Sequence, residues 1–134
     1  MMSKSEQLVY SVLGLIKSNI LPVAYTLDLL VELLFCKNIP VSEIMITKMV
    51  YPQVAKRLNK SVHAVEKSVE RIVHDFWSVA LEQNRLLQLF GHSSLYEPSV
   101  SEILFYLSFL LYYDKPFFAV LDDLSVLNSP SPPA

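Results

Sequence analysis

Three features of the 134-residue sequence predict an all-α fold of about six helices with a central helix-turn-helix. Apolar residues recur at intervals of three and four along most of the chain, which is the spacing of a buried helix face. The only two glycines are Gly14 and Gly91, so few positions suit the tight turns of β-hairpins. Ser3 and Ser99 are each followed three residues later by glutamate, a pattern typical of helix N-termini. The chain is 52% hydrophobic and therefore apolar enough to bury one core.

The predicted helices are 4–18, 27–37, 43–50 continued by 53–58, 62–83, 84–90 and 100–113. Pro22 is expected to break the chain after the first helix, and Ser42 is expected to cap the third. A kink or break is expected at Tyr51, because the residue before a proline disfavours helical backbone angles. Pro52 then suits the first position of the next helical turn.

The C-terminal part is predicted to close a single domain that spans residues 1–128. The helix of 100–113 is apolar nearly all round, as a central buried helix or a partner-binding helix is. Pro116 ends it, and 117–127 are expected to pack as an extended strap or one more turn. The last segment, 129–134 (SPSPPA), has the composition of a disordered tail.

The centre of the chain has the spacing of a helix-turn-helix. This motif needs a small residue in its first helix and, four positions later, a residue that tolerates a left-handed turn. A branched apolar residue follows about six positions beyond. Ala55, Asn59 and Val65 meet these requirements, and Ser61 is expected to cap the second helix. The predicted inner stripe of that helix is Val62, Val65, Val69, Ile72, Val73, Phe76, Trp77 and Ala80.

Charge is segregated along the sequence in a way that favours a nucleic-acid partner. The chain carries a net charge of −2, but the segment from Lys48 to Arg71 is +4 and the remainder is −6. Such a domain can present a basic face to phosphate while its average stays acidic. Helix pairs joined by a short turn also occur in purely structural bundles, so the pattern leaves that alternative open. The residues expected on the exposed, base-facing side are Ser61, His63, Glu66, Lys67, Glu70 and Arg71.

The residues around this motif are similar to those of a known family. They are ITKMVYPQVAKRLN at 46–59, VEK at 65–67, WS at 77–78, LFG at 89–91 and PSVSE at 98–102. They resemble the C-terminal DNA-binding domain of the stage-zero sporulation response regulator family, over about residues 21–110. The resemblance implies a six-helix domain that binds promoter DNA, often as tandem dimers, and activates or represses transcription.

The sequence also departs from the family pattern. No receiver domain is expected before this domain, and 21–28 lack a basic stretch that the family carries there. Lys67 and Glu70 stand where the family has base-reading arginines, so the second of these charges is reversed. A guanine-reading arginine is worth about 1–3 kcal/mol of discrimination, which a glutamate removes. The residues still expected to contact phosphates are Lys48, Lys56, Arg57 and Lys60.

Two functions follow from these observations. The first is a DNA-binding transcription factor domain that docks the helix of 62–83 in double-stranded DNA, without a receiver domain of its own. The alternative is a protein-interaction or dimerisation module that has kept the fold and lost specific DNA binding. This alternative depends on the aromatic C-terminal region, whose excess of large apolar side chains suits a homodimer interface.

Other kinds of site are not predicted. The three histidines and Cys36 lack the spacing of metal ligands, and Cys36 is expected to be a small buried apolar residue. Glycine-rich phosphate loops and nucleophile elbows are missing from the sequence, so we expect neither an enzyme nor a cofactor. The longest apolar stretch, 103–113, is shorter than the roughly 20 residues of a membrane span. The N-terminal residues do not resemble a signal peptide, which favours a cytoplasmic location without membrane attachment.

Overall fold

The computed structural model describes residues 2–16, 18–91 and 96–128, with side chains up to 123. In these ranges the chain forms seven α-helices and no strand, so the all-α fold class is confirmed with one helix more than expected. The helices are α1 (Lys4–Leu13), α2 (Leu21–Val31), α3 (Tyr51–Leu58), α4 (Val62–Glu82), α5 (Leu86–Phe90), α6 (Val100–Tyr113) and α7 (Phe117–Asn128). His92 and the predicted tail of 129–134 lie outside the described residues.

The core lies where α2, α4 and α6 meet, and α1 and α3 pack against this centre. Leu27, Leu30, Val69 and Leu104 are completely buried there. Trp77 is also buried, and its ring centroid lies 5.3 Å from that of Phe90 on α5. The inner stripe predicted for α4 is therefore confirmed from Val65 onward.

The first two helices begin and end elsewhere than predicted. α1 ends at Leu13 instead of residue 18, because Gly14 has a φ of +71°, an angle that a right-handed helix cannot contain. α2 begins at Leu21, six residues before the predicted start, and Pro22 lies in its first turn. Proline is tolerated there because the N–H groups of the first turn have no partner within the helix. The Asn19 side chain accepts the Leu21 N–H at 3.0 Å and so helps to start the helix.

Two wide, π-helical turns flank the segment between α2 and α3. The first, Glu32–Cys36, prolongs α2, and its Lys37 N–H donates to the Glu32 carbonyl oxygen at 3.0 Å. The second, Ile46–Val50, leads directly into α3 and replaces the predicted α-helix of 43–50. Tyr51 is itself helical, so the chain does not break there, but the helix changes from π-helical to α-helical at this residue. A wide turn fits this place because Pro52 has no N–H to continue the ordinary helical ladder.

Two further expectations in this region were wrong. Ser42 does not cap a helix but lies within a short 3₁₀ turn, Val41–Glu43. Cys36 is exposed rather than buried, because it lies at the end of the wide turn, where the chain leaves the core.

The segment after Pro116 is a helix of twelve residues, not an extended strap. Proline suits the position before a helix, since its φ angle is already helical. α7 packs on α5 and α6, where the ring centroids of Phe117 and Tyr106 lie 4.6 Å apart. Gly91 closes α5 with a φ of +95°, and a Cβ atom there would lie only 3.0 Å from the Cβ of Phe118. The glycine therefore permits both the turn and the close approach of α7.

In the described part of the chain, no single helix is both long and apolar enough to cross a membrane. The pair formed by Val100–Tyr113 and Phe117–Asp123 reaches that length and composition only together, across a bend of 65°.

Candidate nucleic-acid interface

The turn between α3 and α4 is closed by the backbone of Asn59. This residue has φ 54° and ψ 49°, the left-handed conformation that the sequence predicts for it. The Lys60 N–H donates to the Ala55 carbonyl oxygen at 2.9 Å, and the Asn59 N–H donates to that of Lys56 at 3.3 Å. These two bonds form a Schellman motif, which satisfies the last carbonyl groups of α3. Asparagine adopts this conformation more readily than other residues with a Cβ atom.

Ser61 begins α4 as predicted. Its backbone is extended, with ψ 154°, and its Oγ accepts the Ala64 N–H at 3.1 Å. Such a serine cap is worth about 1 kcal/mol to a helix. Between Asn59 and Ser61, the turn fixes the angle at which the 21-residue α4 leaves α3.

The two helices cross at small and branched side chains. Ala55 and Val54 of α3 are 3% and 2% exposed, and Val65 of α4 is fully buried. A methyl group at Ala55 lets a neighbouring helix approach closely, and both Ala55 and Val65 belong to the core in which α3 and α4 are in contact. The spacing read from the sequence therefore corresponds to a real helix-turn-helix crossing.

The outward side of α4 is lined by basic groups. His63, Lys67 and Arg71 are all exposed, and their spacing of four residues places them along one face of the helix. Val62, predicted to face the core, is instead 40% exposed. It occupies the first position of α4 and so adds an apolar group to the exposed surface.

Glu66 and Glu70 lie on the flank of α4 that faces α3, and both are half-buried. The pKa of the Tyr51 hydroxyl on α3 is raised to about 12. Burial is the largest cause, and the negative charges of Glu66 and then Glu70 add to it. Glu70 also lies 3.4 Å from the Lys67 ammonium group, measured from Oε2 to Nζ. The Glu70 carboxylate thus partly neutralises Lys67, the central cation of the outward face.

Most of the remaining basic groups of the motif have no acidic partner among the residues that the structure describes. In the described part of the chain, Lys48, Lys56, Lys60 and Arg71 are exposed and form no ion pair. Arg57 is held differently, with its guanidinium carbon 3.8 Å from the centroid of the Tyr25 ring on α2. The motif therefore presents uncompensated positive charge around both of its helices.

His74 is a candidate that the base-facing set omits. It lies on α4 about three turns after His63, on a similar face, and is exposed. Its Nδ1 lies 2.9 Å from Oε1 of Glu97, in the segment before α6. The same periodicity that selected Lys67 and Arg71 was sufficient to find it. In the ranges that the structure describes, no three His, Cys, Asp or Glu residues are grouped as metal ligands are.

Comparison with known proteins identifies the family. No curated protein and no solved structure matches the chain significantly. The family model described as "Sporulation initiation factor Spo0A C terminal" matches residues 25–109, which include α3, α4, α5 and most of α2 and α6. This is well over half of the sequence. The chain therefore belongs to the Spo0A C-terminal family, whose members are DNA-binding regulators of sporulation genes and not enzymes.

Proposed function

We propose that this chain is a transcription-regulating domain that docks α4 on double-stranded DNA. His63, Lys67 and Arg71 face the base edges in this arrangement, and Val62 contacts an apolar group such as a thymine methyl. The observation that carries the proposal is the helix-turn-helix crossing at Ala55 and Val65, which holds α4 with this face free of the core. A chromosomal DNA partner implies a cytoplasmic location.

Phosphate contacts come from the basic groups around α3. Lys56 and Lys60 lie near its C-terminal end, Lys48 precedes it, and none of them has an ion pair among the described residues. Unpaired lysines bind phosphates without losing an existing partner, and each contact releases counterions. Such contacts set the position of the domain on DNA without selecting a sequence. We assign Arg57 to the same group, with its guanidinium stacked on Tyr25.

Base reading is weaker than an arginine pair would give. Lys67 donates as a point charge and lacks the planar fork of arginine, and its ammonium group is shared with Glu70. Ser61 uses its Oγ to cap α4, which leaves its hydroxyl proton as a donor. We therefore expect high salt sensitivity and modest discrimination between sequences.

The test is a titration of a short labelled duplex by fluorescence anisotropy at several salt concentrations. The double variant Lys56→Gln/Lys60→Gln should weaken binding and lower the slope of log K against log salt by about 1.8, or about 0.9 per lost phosphate contact. The matched control, Lys4→Gln/Lys115→Gln, removes the same charge from residues paired with Asp114 and Asp123. Equal losses in the two variants would mean that binding follows net charge and not this surface.

A second candidate function is a homodimer through the aromatic C-terminal region. Phe35 and Tyr112 are stacked with ring centroids 4.0 Å apart, yet Tyr112 is 50% and Tyr113 39% exposed. Exposed aromatic pairs of this kind are enriched in protein interfaces. Sedimentation of the wild type and of Tyr112→Ser at high micromolar concentration tests it. If the wild type and Tyr112→Ser both sediment as monomers, the dimer proposal is wrong. If the wild type sediments as a dimer and Tyr112→Ser as a monomer, the proposal is supported.

A further inference from the structure

A cleft of about 420 Å³ lies between α1, α5 and the C-terminal end of α6, away from the helix-turn-helix. This volume is within the range of small-molecule sites. Its apolar lining comes from Leu8, Leu89, Leu110 and Leu111. All of α1 and the end of α6 fall outside the residues that the family model matches.

Among the described residues, Arg85 is the charged group of the cleft that forms no ion pair. Its Nη1 donates to the Ser11 carbonyl oxygen at 2.8 Å and to Gln83 Oε1 at 3.3 Å, and its Nε donates to Gln88 Oε1 at 3.2 Å. All three acceptors are neutral. Within the described residues no carboxylate forms an ion pair with this half-exposed guanidinium. Its charge is therefore oriented by hydrogen bonds but not neutralised.

The other charges of the cleft cancel. Lys4 Nζ lies 2.6 Å from Asp114 Oδ1 and donates to the Leu111 carbonyl oxygen at 2.6 Å. This ion pair ties the start of α1 to the end of α6 across the cleft. Arg85 then remains as the net positive charge beside a leucine-lined wall.

We propose that this cleft binds an organic anion with an apolar body, whose carboxylate meets Arg85 and whose hydrocarbon part packs on the leucines. A guanidinium held by neutral acceptors favours a carboxylate, because its charge is not neutralised and its Nη2 hydrogens remain to donate a charge-assisted hydrogen bond. The leucines add affinity only for a ligand that carries apolar surface. This site is independent of the DNA surface proposed above.

The experiment is a titration of the isotope-labelled full chain, followed by two-dimensional NMR, with octanoate as the probe. Octanol offers the same hydrocarbon part without the charge, and acetate offers the charge without the hydrocarbon part. We expect saturable shifts of the Leu8, Leu89 and Leu111 methyl signals with octanoate, at a dissociation constant of about 1 mM for a ligand of this size. Octanol and acetate should each bind at least about tenfold more weakly.

Arg85→Gln should weaken octanoate binding by about tenfold or more, while the matched control Lys115→Gln leaves it unchanged. Because Arg85 also bonds α1, Arg85→Lys is a second variant that keeps the charge and removes the guanidinium group. It should bind octanoate with intermediate affinity and show wild-type α1 amide shifts. Octanol binding as tightly as octanoate would overturn the proposal, as would an absence of saturable shifts at the cleft. Unchanged octanoate affinity in both Arg85 variants would also overturn it.

Discussion

Replacing Glu70 with arginine should strengthen DNA binding. The substitution removes the carboxylate that lies 3.4 Å from the Lys67 ammonium group and adds a guanidinium beside Lys67, on the flank of α4 next to the outward face. The cost to the fold is small, because the side chains of Lys67 and Glu70 are 61% and 40% exposed and such a pair contributes at most about 0.5 kcal/mol. Any change in DNA affinity therefore reports on the interface and not on unfolding.

The magnitude follows from counting phosphate and base contacts. In Glu70→Gln the Lys67 ammonium group is free to contact a phosphate beside the bases that it faces, which should steepen the salt slope by about 0.9. Glu70→Arg adds a second cation and should steepen the slope by up to about 1.8. A guanidinium that reaches a guanine adds about 1–3 kcal/mol for that sequence, so we expect an affinity gain of about tenfold or more for Glu70→Arg. Anisotropy titration over a series of salt concentrations measures both quantities.

Glu82→Arg is the matched control for this prediction. Glu82 is an exposed acid on the same helix, and twelve residues place it about 18 Å along the axis from Glu70. That distance exceeds the screening length of about 10 Å at 0.1 M salt. Equal gains from Glu70→Arg and Glu82→Arg, or no gain from either, would refute the docking of this face on DNA.

Three further predictions concern the fold. Ala55→Leu should lower the free energy of unfolding by about 1–3 kcal/mol in urea titration, because the helix crossing has no room for a larger side chain; an unchanged midpoint would contradict the close crossing. Gly91→Ala should lower the melting temperature by several degrees, since it combines a φ of +95° with a Cβ contact of 3.0 Å to Phe118. The stabilising effect of the raised Tyr51 pKa is full below pH 10 and is lost as the pH rises from 10 towards 12. The free energy of unfolding of Tyr51→Phe should therefore fall less over that range than that of the wild type, by up to about 1.4 kcal/mol per pH unit. If the free energies of unfolding of the two proteins depend on pH in the same way, the raised pKa is contradicted.

The helix-turn-helix could be predicted from the sequence because each of its features is local. Asn59 and Ser61 define a turn by their own backbone preferences, and the charge and capping patterns around them need no distant partner. Ala55 and Val65 have the spacing that one crossing geometry requires. The assignment of His63, Lys67 and the other site residues to DNA remains a prediction, since a periodic pattern indicates which side chains are exposed and not what they bind.

The errors arise where local signals compete with tertiary contacts. Pro22 marks a helix start as readily as a helix end, and only packing on the core decides between them. α7 depends on Gly91 and the aromatic rings of α6, which no short window of sequence contains. Cys36 is exposed because a π-helical turn redirects the chain, and the sequence has no simple signal for such a turn.

The stacking of Arg57 on Tyr25 has a consequence for the entropy of binding. Exposed lysines such as Lys56 and Lys60 sample many rotamers, and fixing one of these side chains costs up to about 2 kcal/mol. The Arg57 guanidinium already lies 3.8 Å over an aromatic ring, so most of that ordering is complete before any anion arrives. Contacts made by Arg57 should therefore weaken less on warming than contacts made by the lysines. Removing the Tyr25 ring would make the arginine behave like them.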